Sequence, residues 1–200
     1  MLPRSHCYGT KRNTAKTALE ASIQANKCRV GIISDTHGLL RPEAIVALQG
    51  SDLIIHAGDI GKESVLDTLR QIAPVFAVRG NNDHGDWAEK IPASGYVKVG
   101  GLSIYILHNL NELDQPTNAD TCAAVIAGHS HRALVREREG VLFINPGSAG
   151  PRRFHLPVTV ARLQIRDSEL TASIINLAPA EATTRRRLVG PRNKKKAPGS

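Results

Sequence analysis

Arg29-Val30-Gly31-Ile32-Ile33-Ser34, followed at once by Asp35-Thr36-His37-Gly38, decides how the chain folds. The first six residues are a compact apolar run that reads as a buried strand. A carboxylate, a hydroxyl, an imidazole and a glycine then stop it. The pattern repeats: residues 53–57 are a second apolar run ending at Gly58-Asp59, and residues 75–78 a third ending at Arg79-Gly80-Asn81-Asn82-Asp83. Between them, residues 42–49 have helical spacing and begin at Pro42, where proline favours a first turn. Residues 62–72 set Val65, Leu66, Leu69 and Ile72 on one helical face. Strand, helix, strand, helix, strand predicts parallel βαβ units.

Beyond residue 95 the texture changes. Residues 96–99 and 102–107 flank Gly100-Gly101 and predict a hairpin whose second strand runs into His108-Asn109. Residues 114–122 read as a short helix or loop. Residues 123–127 form a buried strand ending at Gly128-His129-Ser130-His131. Residues 133–138 and 141–144 flank Glu139-Gly140 as a second hairpin, which ends at Asn145-Pro146-Gly147-Ser148. Residues 159–165 and 170–176 alternate apolar and polar side chains, a final antiparallel pair. A parallel half followed by a mostly antiparallel half fits two sheets packed face to face with helices outside.

At 200 residues the chain suits one domain with a sizeable core. Aromatic residues are only 4%, so that core is aliphatic. No apolar run approaches the roughly 18 residues of a membrane span. Cys7, Cys28 and Cys122 lie far apart in no metal spacing and cannot all pair. That argues against a disulfide scaffold or zinc finger and for a reducing, cytoplasmic setting. The formal charge of +8 suggests a polyanion partner, but it sits at the ends. Residues 1–29 carry six basic residues against Glu20, residues 181–200 carry seven against Glu181, and residues 30–180 are net −3. The expected organisation is a basic, flexible extension over 1–28, a catalytic domain over 29–178 and a basic, disordered tail over 179–200. The first segment lacks the apolar stretch of a secretory signal and is only faintly like a transit peptide.

Five strand ends deliver ligand-type side chains: Asp35 and His37, Asp59, Asn81, His108, then His129 and His131. In open α/β sheets, ligands bind at the carboxyl ends of strands, so these groups are candidates for one site. Mixed nitrogen and oxygen donors suit first-row divalent ions better than Mg²⁺ or Ca²⁺. Seven such residues are too many for one tetrahedral ion and suit two, about 3.5–4 Å apart if a carboxylate bridges them. For Asp35-x-His37 and His129-x-His131 to converge, each needs a turn, which Gly38 and Gly128 permit. Taken singly, each motif is also an ordinary turn; together, in this order, they are a metal constellation.

With these residues in place the sequence resembles the calcineurin-like metallophosphoesterases, closest to their compact bacterial and archaeal phosphodiesterase branch. The likeness covers about residues 29–177. It rests on Ser34-Asp35-Thr36-His37-Gly38, Ala57-Gly58-Asp59, Gly80-Asn81-Asn82-Asp83, His108, Gly128-His129-Ser130-His131 and Asn145-Pro146-Gly147-Ser148. The resemblance implies an α/β fold of four layers, two mixed β-sheets packed as a sandwich flanked by α-helices. It implies that Asp35, His37 and His131 hold one metal, that Asn81, His108 and His129 hold the second, and that Asp59 bridges them beside a bridging hydroxide that attacks phosphorus in line. The cofactors would be two divalent transition-metal ions, manganese first, with Ni, Fe, Co or Zn as alternatives.

Two departures from the family pattern stand out. Many larger relatives have His where this chain has Asn82, which can donate a hydrogen bond to phosphate but supplies no proton. Asn109 follows His108 where the family usually has Gly. Asp59, Asn82 and Asp83 are the candidate catalytic residues, with Asp83 read as orienting the Asn81 loop. Asn82, Arg152 and Arg153 are candidates for the substrate phosphate, although a solvated surface role suits both arginines equally. His56 reads as a buried structural histidine rather than a ligand, His84 as an exposed loop residue and Trp87 as packing.

The function expected is hydrolysis of a phosphodiester, a small molecule or nucleotide. The alternatives are a non-catalytic scaffold of the retromer-subunit type and a nuclease recruited to nucleic acid by the basic tails. Oligomeric state is open, a homodimer being compatible.

Overall fold

The computed structural model describes residues 21–23, 27–113, 121–153 and 155–177. The expected strand, helix, strand, helix, strand series is present as β2 (Lys27–Ile33), α1 (Pro42–Leu48), β3 (Leu53–His56), α2 (Glu63–Arg70) and β4 (Val75–Ala77). Its three strands pair in parallel. They are joined on the other side by β10 (Thr159–Arg166) and β11 (Glu169–Asn176), giving a five-stranded sheet of order β11-β10-β2-β3-β4.

The second sheet has six strands. These are β1 (Ala21–Ile23), β5 (Ser94–Val99), β6 (Leu102–Leu107), β7 (Ala124–Ile126), β8 (Leu134–Arg138) and β9 (Val141–Asn145), in the order β1-β5-β6-β7-β9-β8. Its centre is parallel, β6 with β7 and β7 with β9, so the second half is less antiparallel than the sequence texture predicts. Apolar periodicity reports that a strand exists and which face it buries, and it carries no sign of direction. The expected hairpins do form: β5 pairs β6, β8 pairs β9 and β10 pairs β11, all antiparallel. Each is closed by two residues of positive φ, Gly100-Gly101, Glu139-Gly140 and Asp167-Ser168. That is the turn whose twist matches the strands it joins. β1 and the first residues of β2 lie within the stretch read as an extension, and β1 pairs in parallel with β5, Ala21 opposite Val97. Residues 114–120, most of the stretch read as a short helix or loop, and both basic tails lie outside the described residues, apart from those strands.

The sheets face each other across an aliphatic core that includes Val30, Ile32, Leu53 and Ile55 from one and Val97, Ile104, Ile106 and Ile126 from the other. β3 is buried on both faces. Its Leu53 and Ile55 point between the sheets, while Ile54 points outward beneath Leu48 of α1 and Leu66 and Leu69 of α2. A one-turn helix, α3 (Asp86–Glu89), brings Trp87 to the same side as packing. The described α-helices therefore cover the five-stranded sheet. The outer face of the six-stranded sheet carries its own cluster, with Tyr105, Leu107, Val125 and Ala127. No described helix is long and apolar enough to cross a membrane.

The helix layer depends on this burial. Replacing Leu48, 1% exposed, with Ala is expected to cost about 2–5 kcal/mol in urea unfolding. The same truncation of neighbouring Val46, 72% exposed, should stay within about 0.5 kcal/mol.

Candidate metal centre

Because β2, β3 and β4 are parallel, and β6, β7 and β9 likewise, the loops after all six strands gather at one edge of the sandwich. Hydrogen bonds knit those loops together, both within each sheet and between the two. Asp35 N–H donates to Gly58 O at 3.0 Å, Gly128 N–H to His108 O at 2.9 Å and Ala149 N–H to Ser34 O at 3.1 Å. His129 N–H donates to the Asp35 carboxylate at 3.2 Å.

Asp35, His37, Asp59, His129 and His131 all have left-handed backbone, with φ of 55°, 46°, 54°, 65° and 58°. Asp and His tolerate this better than most residues, yet it still costs about 1–3 kcal/mol at each such position. The turns expected at Gly38 and Gly128 are thus made largely by the ligand-type residues themselves. Gly38 is left-handed, whereas Gly128 is needed for space: a Cβ there would run into the Ser34 hydroxyl and the Asp35 carboxylate. Gly80 is similar, since its Cβ would collide with the backbone and carboxylate of Asp59.

Asp35 and Asp59 are both buried, and two groups of potential ligand atoms form around them. Asp35, His37 and His131 make one group; Asp35, Asp59 and His108 make the other. His131 Nε2 lies 3.2 Å from Asp35 Oδ1. Asp59 turns one oxygen toward His37 Nε2 at 3.8 Å and the other toward His108 Nε2 at 3.4 Å. Asn81 and His129 stand together at the exposed rim, Oδ1 to Nδ1 at 3.0 Å. His129 packs edge-on against His108, with ring centres 5.2 Å apart. All seven expected ligand residues therefore reach one edge, but Asn81 and His129 stand outside the two tight groups.

The donor set fits a divalent cation. Asp35 Oδ1, His37 Nε2 and His108 Nε2 are buried and have no hydrogen-bond partner among the described residues. Such atoms are costly unless something positive meets them. The Nδ1–H of His108 donates to Ala57 O at 2.7 Å, which leaves the Nε2 lone pair facing the carboxylates. Burial opposes charge on His108, but Asp59 and the Ala57 carbonyl outweigh it and raise its pKa. Burial alone would raise the pKa of Asp59. Contact with His108 and two hydrogen bonds from Asn82 hold it instead well below the usual carboxylate range.

Those two bonds place Asn82. Its backbone N–H donates to one Asp59 oxygen at 2.9 Å and its side-chain amide to the other at 2.6 Å. Asn82, a candidate for the substrate phosphate, thus also clasps the carboxylate. Asp83 orients its loop, as expected, accepting from Gly61 N–H and Gly80 N–H at 2.7 Å each. Arg152 and Arg153 are both exposed, and both line a small pocket with His131 and Ser148. Arg153 is close enough for its charge to help depress the pKa of His37, which burial chiefly lowers. Arg152 also lines a separate cavity with Arg41. His84 is exposed, as expected. Asn109 caps a 3₁₀ turn, Leu110–Glu112, by accepting from Asn111 N–H, so the position where the family has Gly requires no positive φ here.

Sequence reasoning assigned no role to two supports. Asn145 donates to Gly128 O at 2.7 Å and to Ser130 Oγ at 3.1 Å, bracing the loop that carries His129 and His131. Thr36 donates to Ile60 O at 2.9 Å and accepts from His56 Nε2 at 3.0 Å. Asn145 opens the Asn-Pro-Gly-Ser turn, which was the available signal; Thr36 had none apart from its place between two ligands.

His56 is fully buried, and desolvation drives its pKa down to about 4 against partial compensation from nearby carboxylates. The folded protein therefore keeps it neutral where the unfolded chain, with an ordinary pKa near 6.5, takes up a proton. Its contribution is complete above about pH 6.5 and is lost progressively as pH falls toward 4. Between pH 7 and pH 5 this amounts to about 2 kcal/mol. In urea unfolding of metal-free protein, His56→Gln should flatten that slope; an unchanged slope would assign the pH dependence to other groups.

Known proteins share the sequence pattern and the fold. The sequence profile of the calcineurin-like phosphoesterase superfamily domain matches residues 28–168. A probable metallophosphoesterase of Methanothermobacter thermautotrophicus is 33% identical over 161 residues, covering 73% of this chain and 91% of the relative. A solved archaeal phosphodiesterase shares the fold at a TM-score of 0.62 and 26% identity, covering 74% of this chain and 99% of that one. Vps29 of Entamoeba histolytica, solved in complex with Zn²⁺, shares it at a TM-score of 0.58 and 20% identity, covering 75% and 99%. The profile spans most of the fold and every strand-end residue of the centre, and the chain belongs to the calcineurin-like phosphoesterase superfamily.

Proposed function

We propose that the protein is a phosphodiesterase that uses two divalent metal ions, manganese first among them, and displaces one ester arm in line at phosphorus. The observation that carries this reading is the convergence of buried, unpartnered donor atoms of Asp35, His37 and His108 at the edge where all the candidate ligands gather. The archaeal relative named as a phosphodiesterase supports the diester over the monoester.

Asp35, His37 and His131 would hold one ion. Asn81, His108 and His129 would hold the other, and Asp59, with an oxygen toward each side, would join them. Bound there, the ions would supply Lewis-acid stabilisation of phosphoryl oxygens and a water acidic enough to act as nucleophile. The chain's own residues set the frame. Asn82 fixes the Asp59 carboxylate, Ala57 fixes the His108 tautomer, and Asp83 ties the Asn81 loop to the loop after β3. Arg152 and Arg153, which line a pocket with His131, would meet a phosphate oxygen. None of the residues at the centre is an evident acid for the leaving group, so substrates whose leaving alkoxide or phenoxide is stable in water suit the site.

Bis(4-nitrophenyl) phosphate should be hydrolysed only when Mn²⁺ is added, and faster than 4-nitrophenyl phosphate. Asp59→Asn should lower kcat by more than about 100-fold, and Asn82→Ala should weaken metal affinity by about 10–100-fold. A parent protein with no metal-dependent turnover overturns the reading. In that event the non-catalytic scaffold reading becomes the better account.

A further inference from the structure

Beside the centre lies a groove of about 480 Å³ that the chemistry above does not use. Strand alternation builds its floor. Ala124 and Ile126 of β7 point into the sandwich, so Val125 points out, and Ala127 and Phe143 join it on that outer face. Leu110 and Leu134 form its walls and stay 40% and 46% exposed. Its lining includes His129, which is also one of the candidate metal ligands.

We propose that this groove receives one apolar, preferably aryl, ester arm of the phosphodiester substrate while the phosphoryl group lies at the centre; this rests on the hydrolase reading above. Three features fix that occupant. The groove shares Gly128 and His129 with the loop that carries two of the candidate ligands, so an ester arm can reach it from a phosphoryl group held at the centre. Its size is that of a small-molecule site, a few hundred Å³ with an apolar lining and few polar groups. Its described lining contains no carboxylate, and Arg132 supplies the only charge there, which suits a substrate bearing a phosphate anion. A monoester of a small polar alcohol would leave Leu110, Leu134 and Phe143 uncovered. The groove thus adds a reason, separate from the metal centre, for the protein to prefer diesters with a hydrophobic arm.

The test uses two stable analogues that share an anionic head and differ in the arm, phenylphosphonate and methylphosphonate. Their binding to the full-length, Mn²⁺-loaded protein is measured by calorimetry. Phenylphosphonate should bind at least about tenfold more tightly. Leu134→Gln or Leu110→Gln, at partly exposed positions, should remove most of that preference and leave methylphosphonate affinity within about twofold, while Leu134→Met should retain it. Equal binding of the two analogues, a preference that survives both Gln substitutions, or no binding of either overturns the proposal. Turnover of bis(4-nitrophenyl) phosphate, assayed in parallel, separates the two ideas. Turnover without an aryl preference overturns the groove alone. An aryl preference without turnover overturns the hydrolase reading and the substrate-arm role with it, leaving the groove as a binding site for aryl phosphoryl compounds.

Discussion

Two carboxylates, Asp35 and Asp59, are buried together at one edge of a β-sandwich, with lone pairs of histidine aimed at the same space. Like charges held close in a poorly solvated place repel, and each loses the water that would stabilise it. The surroundings supply part of the remedy. Asp59 receives two hydrogen bonds from Asn82, and Asp35 receives the His129 backbone N–H. The remainder is left unsatisfied in a form that a cation answers. The arrangement of the loops follows from that requirement.

Those loops hold five ligand-type residues in left-handed backbone, a conformation that persists only where the surroundings over-determine it. Here the restraint comes from neighbouring loops. Asp83 binds Gly61 and Gly80, Asn145 binds Gly128 and Ser130, and Ser148 donates to Asp35 O at 3.1 Å. Glycine enters where backbone must pass against a ligand, as Gly80 passes Asp59 and Gly128 passes Asp35. The side chains that meet an ion can be few because the second row of contacts is dense.

Much of this was legible in the sequence because strand ends announce themselves. An apolar run stopped by Asp-x-His or by Gly-Asp marks both an element and a donor, and the two-residue hairpin turns are equally explicit. Strand direction was not legible: the apolar runs of residues 102–107 and 123–127 read the same whether the strands run parallel or antiparallel. Nor was the choice of hydrogen-bond partner. Asn82 reads as a donor awaiting a ligand until the fold sets Asp59 beneath it, and the support given by Asn145 and Thr36 depends on contacts 15 to 24 residues away in the chain. β1 was hidden because its three residues gain their strand from pairing with β5 rather than from a pattern of their own.

The bonds that cross between the loops of the two sheets have one more consequence. Asp35 and Asp59 belong to the five-stranded sheet, and His108, His129 and His131 belong to the six-stranded sheet. A cation held by both sets would act as a rivet through the seam of the sandwich. Its binding free energy would then enter the folding free energy, growing with the logarithm of free metal once the site saturates. Sheet docking and ligation would be one equilibrium, so a packing fault far along the aliphatic core, with no contact to any ligand, would register as weaker metal affinity.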